Sequence, residues 1–139
     1  MLAAESAIRQ RLAGIPGLAG VHGMADFAAN GAAGKKLPAA FVLADGYRVD
    51  DGSSPGAVRL AVRWLVVLAV RNVADVVGGS GARVELTDLA ASIMASLYRF
   101  QPPGFQPMRA VDAPRPSYED GLMLYPLAFE TLQIINRKE

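Results

Sequence analysis

The sequence contains no cysteine and a single histidine, His22. Without a thiol there is neither a disulfide framework nor a thiolate metal site, and one imidazole cannot assemble the usual zinc constellations. Charge is also scarce, at 19% of residues, and fourteen basic side chains nearly balance thirteen acidic ones for a net charge of +1. Such a balance argues against a protein whose main task is gripping phosphate backbones. No stretch approaches the roughly 18 uncharged apolar residues that a membrane span needs. The start, MLAAESAIRQRLAG, carries Glu5 in its first turn and lacks the apolar centre of a signal sequence. A soluble, intracellular chain with no membrane partner is the expectation, with the redox compartment left open.

What the sequence has in abundance is apolar surface. Hydrophobic residues make up 52% of 139. That length is most simply one domain, 1–139, burying roughly two thirds of its unfolded surface. With so little charge, apolar surface is left over once the core is filled, so a partner or an oligomer is expected.

Along the chain, residues 3–13 read as a helix with Ile8 and Leu12 on one face, stopped by Gly14 and Pro16. LAGVHGM reads as a short strand. Asp26 then caps one helical turn through Ala29, and NGAAGKK is glycine-rich loop. Leu37 to Ala44, apolar on both faces, reads as a buried strand, followed by a polar turn segment over 45–56. The strongest β signal is Val58 to Val70. Val58, Leu60, Val62, Trp64, Val66, Leu68 and Val70 share one face, which is core from end to end. The other face runs from Arg59 through Ala61, Arg63, Leu65, Val67 and Ala69 to Arg71, wet at its ends and covered in its middle.

A second long helix is signalled by Leu86, Leu89, Ala90, Ile93, Met94, Leu97 and Tyr98 at helical spacing, and it must lie on the sheet. Pro102 and Pro103 end it. A strand in MRAVDA, a turn on Pro114, Pro116 and Gly121, and a last strand from Leu122 to Ile135 complete the chain. In that strand Met123, Tyr125, Leu127 and Phe129 share a face, while Pro126, which has no N–H for a ladder, places the strand at an edge or at a bulge. The expected fold class is α+β, a mostly antiparallel sheet with helices packed on one side.

Candidates for chemistry are few. VVGGSGARVELTDLAA has the local layout of a phosphate-cradling loop, yet the glycines fit no dinucleotide spacing and no lysine follows. The plainer reading is a flexible connection after which Gly81-Ala82 opens a helix with Glu85 and Asp88 in its first turn, where acids complement the dipole. His22 has no nucleophile in a recognisable setting and no acid neighbour in sequence, so it reads as structural. The pairs Asp50-Asp51 and Glu119-Asp120 supply at most part of a cation's oxygen shell and read as turn-forming acids. Arg59, Arg63 and Arg71 lack the interleaved aromatics of a nucleic-acid surface and read as a solvated rim or subunit contacts. Tyr47, Phe100 and Phe105 are loop aromatics, either interface anchors or ordinary loop anchors. No catalytic residue, metal or cofactor is expected.

Three stretches, RWLVVLAVRNVAD, LYRFQPPGFQPMR and YEDGLMLYPLAFET, resemble in order and spacing phage tail terminator proteins of the Mu-like type. The likeness runs over about residues 1–135 and includes GVHGMADFAA. Its most specific pieces are Arg71-Asn72, the Pro-Pro-Gly after Phe100, and Phe129-Glu130-Thr131. The resemblance implies a non-enzymatic subunit of a closed ring, generally of six copies, in the virion tail of a phage or prophage, assembled in the bacterial host cytoplasm. Such a ring docks on the finished tail tube, stops tube polymerisation and presents a surface to head-completion proteins, with DNA passing through its lumen. On that reading the interface set is Tyr47, Arg48, Asp50, Asp51, Arg59, Arg63, Arg71, Asp75, Phe100 and Phe105. Segments 45–56 and 72–82 are expected to order on contact. Two other classes stay open: an adaptor that dimerises through a sheet edge, and a nucleotide binder centred on Gly78 to Gly81.

Overall fold

The computed structural model describes residues 2–32, 34–71, 80–119 and 121–138, with 80–85 described by backbone alone. Helix α1 (Leu2–Ala13) puts Ala4, Ile8 and Leu12, four apart, fully into the core. Strand β1 (Gly20–His22), helix α2 (Met24–Asn30), strands β2 (Ala39–Asp51) and β3 (Ala57–Arg71), helix α3 (Ser80–Leu97), and strands β4 (Arg109–Val111), β5 (Ser117–Glu119) and β6 (Leu122–Asn136) follow. The strands form one sheet in the order β1-β2-β3-β6-β4, with β5 also on β6. The β1–β2 pair is parallel and the other four pairs are antiparallel. This is the α+β architecture that the periodicities predict.

The two long helices cover one face of the sheet. Ile8 and Leu12 from α1 and Leu89, Ile93 and Leu97 from α3 pack on Val62, Trp64, Val66 and Leu68 of β3. The alternation read from sequence holds in the middle of the strand, where those four residues are buried, but the face is not core from end to end. Val58, Leu60 and Val70 are half-buried because the helices do not cover the strand's ends. On the opposite face Arg59 and Arg71 are exposed and Val67 and Ala69 are covered. Short α2 lies on that opposite face, where Phe27 meets Phe41 edge-on at 5.0 Å beside Ala39, Val67 and Ala69. At the centre of the main core the Trp64 indole N–H donates to the Thr131 hydroxyl at 3.1 Å, and Phe105 stands edge-on to its ring at 6.3 Å. Thr131 is thereby satisfied although buried.

Several local expectations change. Segment 45–56 is mostly strand, because β2 continues to Asp51. The extra residues are absorbed in register shifts between Ala44 and Tyr47 and between Val49 and Asp51, with Gly46 at φ 75° in the first. Asp26 does not cap α2. The cap residue is Gly23, without a side-chain bond, and the Glu5 carboxylate of α1 accepts the Met24 N–H at 3.2 Å instead. Helix α3 starts at Ser80 rather than after Gly81-Ala82, so no acid lies in its first turn and Glu85 and Asp88 fall beyond it. It stops at Leu97, leaving Tyr98 exposed rather than on the apolar stripe, and Arg99 turns the chain at φ 65°. The segment read as a turn around Pro114 and Pro116 contains β5.

Pro126 resolves as a local edge. Register with β3 is unbroken through Val67↔Pro126, so there is no bulge. On its other side β6 pairs with β5 at 122–124 and with β4 at 128–130, leaving 125–127 open. The Leu132 carbonyl points outward, since it accepts the Gln106 N–H at 2.9 Å. Strand alternation then turns the peptide nitrogen of Pro126 outward too, where no ladder bond is lost.

Replacing Thr131 by valine, which keeps the shape but removes the acceptor, is expected to lower unfolding free energy by about 1–3 kcal/mol, since it strands a buried indole N–H. Urea unfolding checks this; a change within error would show that the bond contributes nothing net.

Candidate functional site

From Val62 and Thr131, the last fully buried residues on the helical side, to the end of the sheet, residues 47–51 of β2, 57–63 of β3 and 130–136 of β6 form a three-stranded ribbon with two unlike faces. One face is charged. Glu130 sits at its centre, accepting from Arg48 Nη2 at 3.1 Å and Nε at 3.3 Å and from Arg109 Nη2 at 2.8 Å. Arg48 lies opposite Ala61 and Arg63 opposite Glu130, so the small Ala61 side chain leaves the diagonal between Arg48 and Glu130 clear. Asp50 holds the other side of Arg48 at 3.0 Å and approaches Arg59 at 3.8 Å. Arg63 bonds Asp45 at 3.0 Å and the Asp112 carbonyl at 2.9 Å. Burial pushes the Glu130 carboxyl upward, but the hydrogen bonds from Arg48 and Arg109 outweigh it and hold Glu130 below the ordinary glutamate value.

The other face is apolar. Tyr47 and Val49 lie opposite Val62 and Leu60, and Ile135 lies opposite Val58. At 65%, 56% and 45% exposure, Tyr47, Val49 and Ile135 form uncovered apolar surface continuous with the core side of the sheet.

Of the residues singled out from sequence, Arg48, Asp50, Arg59 and Arg63 are brought together, and Tyr47 lies on the reverse of the same ribbon. Asp51 turns to Ser53, accepting its N–H at 3.0 Å and its hydroxyl at 2.8 Å, and these bonds lower its pKa. Arg71 stands at the far end of β3. Phe100 is half-buried under the Arg11 guanidinium, 5.2 Å from its ring centre. Phe105, 4% exposed against Trp64, is a core anchor. Asp75 lies outside the described residues, as do Gly78, Gly79 and most of segment 72–82. Sequence reasoning missed Asp45, Arg109 and Glu130; the available signal was an acid on the last strand at the register of an arginine on β3.

The remaining candidates offer little chemistry. His22 does have an acid partner, because α2 returns Asp26 to 3.3 Å from Nδ1, while the Phe41 ring lies 5.2 Å away. The Asp26 carboxylate is bonded at 2.8 Å by Lys35, which is the main reason its pKa is lowered. Asp50 and Asp51 face different partners, and Asp120 lies outside the described residues. Among the described residues no three His, Asp or Glu side chains gather as a metal site, and no helix is long and apolar enough to cross a membrane.

Glu130→Gln is expected to cost about 0.5–1 kcal/mol at neutral pH, a modest figure because its arginine partners are about half exposed. A carboxyl held below its unfolded value contributes above that value, and the contribution is lost as pH falls through the folded one. The gap between parent and variant should therefore close on acidification, as urea midpoints followed from neutrality down to about pH 3 would show. A gap independent of pH would dismiss the ion-pair account.

Comparison with known proteins sets this geometry in a family. The pattern of the family described as phage tail terminator protein matches residues 1–139. A solved chain from the virion of native gene transfer agent (GTA) particle shares the fold, with a TM-score of 0.62 at 14% identity over 94% of this chain and 93% of that one. No curated protein matches the chain. A whole-length family match on a sheet with an extended, site-poor and interaction-rich end leads to one conclusion: the chain belongs to the phage tail terminator family, structural proteins of the phage tail.

Proposed function

We propose that the chain, acting as one unit, forms a closed ring of six copies that caps the tail tube, ends its polymerisation and offers its other face to head-completion proteins. The observation that carries this reading is the family match over residues 1–139. Physical features support it. Head-to-tail contacts between identical subunits either close or run on as a filament, so a capping ring needs two unlike surfaces. The ribbon supplies a charged face around Glu130 and an apolar face around Tyr47 and Val49. The role is non-enzymatic, without cofactor, in the virion tail after assembly in the host cytoplasm, and DNA crosses the lumen without being read.

Within the proposed interface, Arg48, Asp50, Arg59 and Arg63 act as a pre-ordered charged plate, since their side chains are already engaged in the monomer. Ordering on contact is assigned to 52–56 instead of to 45–51, while most of segment 72–82, with Asp75, lies outside the described residues and directly follows Arg71.

Native mass spectrometry over a wide concentration range, with negative-stain imaging of the heaviest species, is expected to find a closed ring. Protein added to polymerising tube subunits should shorten the tubes. A dimer unchanged at all concentrations, with tube length unaffected, would favour a stand-alone adaptor. Arg63→Glu places a carboxylate beside Asp45 and should lower ring yield while the thermal midpoint shows a folded chain. Ring formation and tail joining both intact would remove the charged plate from the interface.

A further inference from the structure

The two margins of the ribbon are both open. Strand β1 covers β2 only at Ala39–Phe41, so among the described residues β2 has no outer partner from Val42 to Asp51. On the other margin β4 covers β6 at 128–130, Gln106 takes the Leu132 carbonyl, and beyond that β6 has no outer partner among the described residues. Alternation from Leu132 turns the peptide groups of Ile134 and Asn136 outward. An exposed strand margin with unsatisfied N–H and C=O groups is a template for another strand.

The margins match each other in direction, charge and polarity. Strands β2 and β6 are each antiparallel to β3, so both run toward the same end of the sheet. There β2 finishes in Asp50-Asp51, and β6 leads into Arg137-Lys138. Asp51 lies level with Ile134 in the sheet, so the basic end of the chain, Arg137-Lys138, follows only three and four residues past the level of the acidic one. Neither Arg137 nor Lys138 has a side-chain partner among the described residues. On one shared face, exposed Ile135 stands at the β6 margin and exposed Tyr47 and Val49 at the β2 margin. A second copy laid beside the first in the same orientation covers all three.

We infer that the β6 margin of one copy adds in parallel to the β2 margin of the next, joining Ile134–Asn136 of one ribbon to Arg48–Asp51 of its neighbour and carrying the sheet across the subunit boundary. This rests on the ring reading and specifies its joint. The alternative self-pairing, β2 against β2 across a two-fold axis, would use one margin twice, leave Ile135 uncovered and leave the basic end of β6 without its acidic counterpart.

Because the chain has no cysteine, the joint can be tested with single introduced thiols at exposed positions. Val49→Cys and Ile135→Cys, each prepared separately and then mixed at the assembling concentration, are treated with a short bismaleimide. A covalent dimer containing one of each variant, absent from either variant alone, is the expected result. Dimers of Val49→Cys with itself would overturn the proposal in favour of two-fold pairing. A closed ring by native mass spectrometry with no mixed cross-link would overturn the joint and leave the ring standing. No ring and no cross-link at any concentration would overturn both.

Discussion

Everything in this structure depends on the unbroken pairing of β3 with β6. All fifteen residues of β3 have a partner, from Ala57↔Asn136 to Arg71↔Leu122, with no shift of register. A one-residue slip would turn every side chain of β6 to the wrong face. The Trp64 to Thr131 bond guards against this, because a one-residue slip would turn the Thr131 hydroxyl to the face away from the indole. From this fixed pair follow the helical layer on one side, the Glu130 cluster on the other, and an end that projects past both helices.

The two faces of the ribbon have different physical characters. The charged face is internally satisfied: Glu130 is shared by two arginines, and Asp45 and Asp50 occupy two more. Such a plate has less side-chain freedom to lose on docking, and its exposed pairs contribute little to the stability of the isolated chain. The apolar face is uncovered, and its burial in the proposed ring would supply association energy that the plate cannot. On that proposal specificity and driving force reside on opposite sides of the same three strands.

Much of the fold is legible in the sequence because its two strongest elements are strictly periodic. Alternation over Val58 to Val70 and helical spacing over Leu86 to Leu97 each reflect burial of one face through the middle of the element. Where a bulge intervenes the signal disappears: Asp45-Gly46 inside β2 looks like a turn because Gly46 takes a positive φ, and the strand beyond it is polar on one face. The capping of α2 by Glu5 and the pairing of His22 with Asp26 depend on tertiary or helical return, which sequence adjacency does not display. In the site, four of the predicted charges share one plate, yet the acid that anchors Arg48 and Arg109 there, Glu130, is a strand residue distant in sequence. Phe105 misleads for the opposite reason, since a loop aromatic reads the same whether it points to solvent or folds back onto Trp64.

Pro126 adds a directional element to this picture. It removes the outward N–H from the middle of β6, between the stretches taken by β5 and β4. A foreign strand approaching that margin finds a template that cannot be zipped along its length, while the far tip keeps its donors. The outward margin of β6 on which a further strand could pair is thereby confined to the tip beyond Leu132. A single imino acid thus keeps the middle of a long apolar strand from serving as a template for uncontrolled pairing.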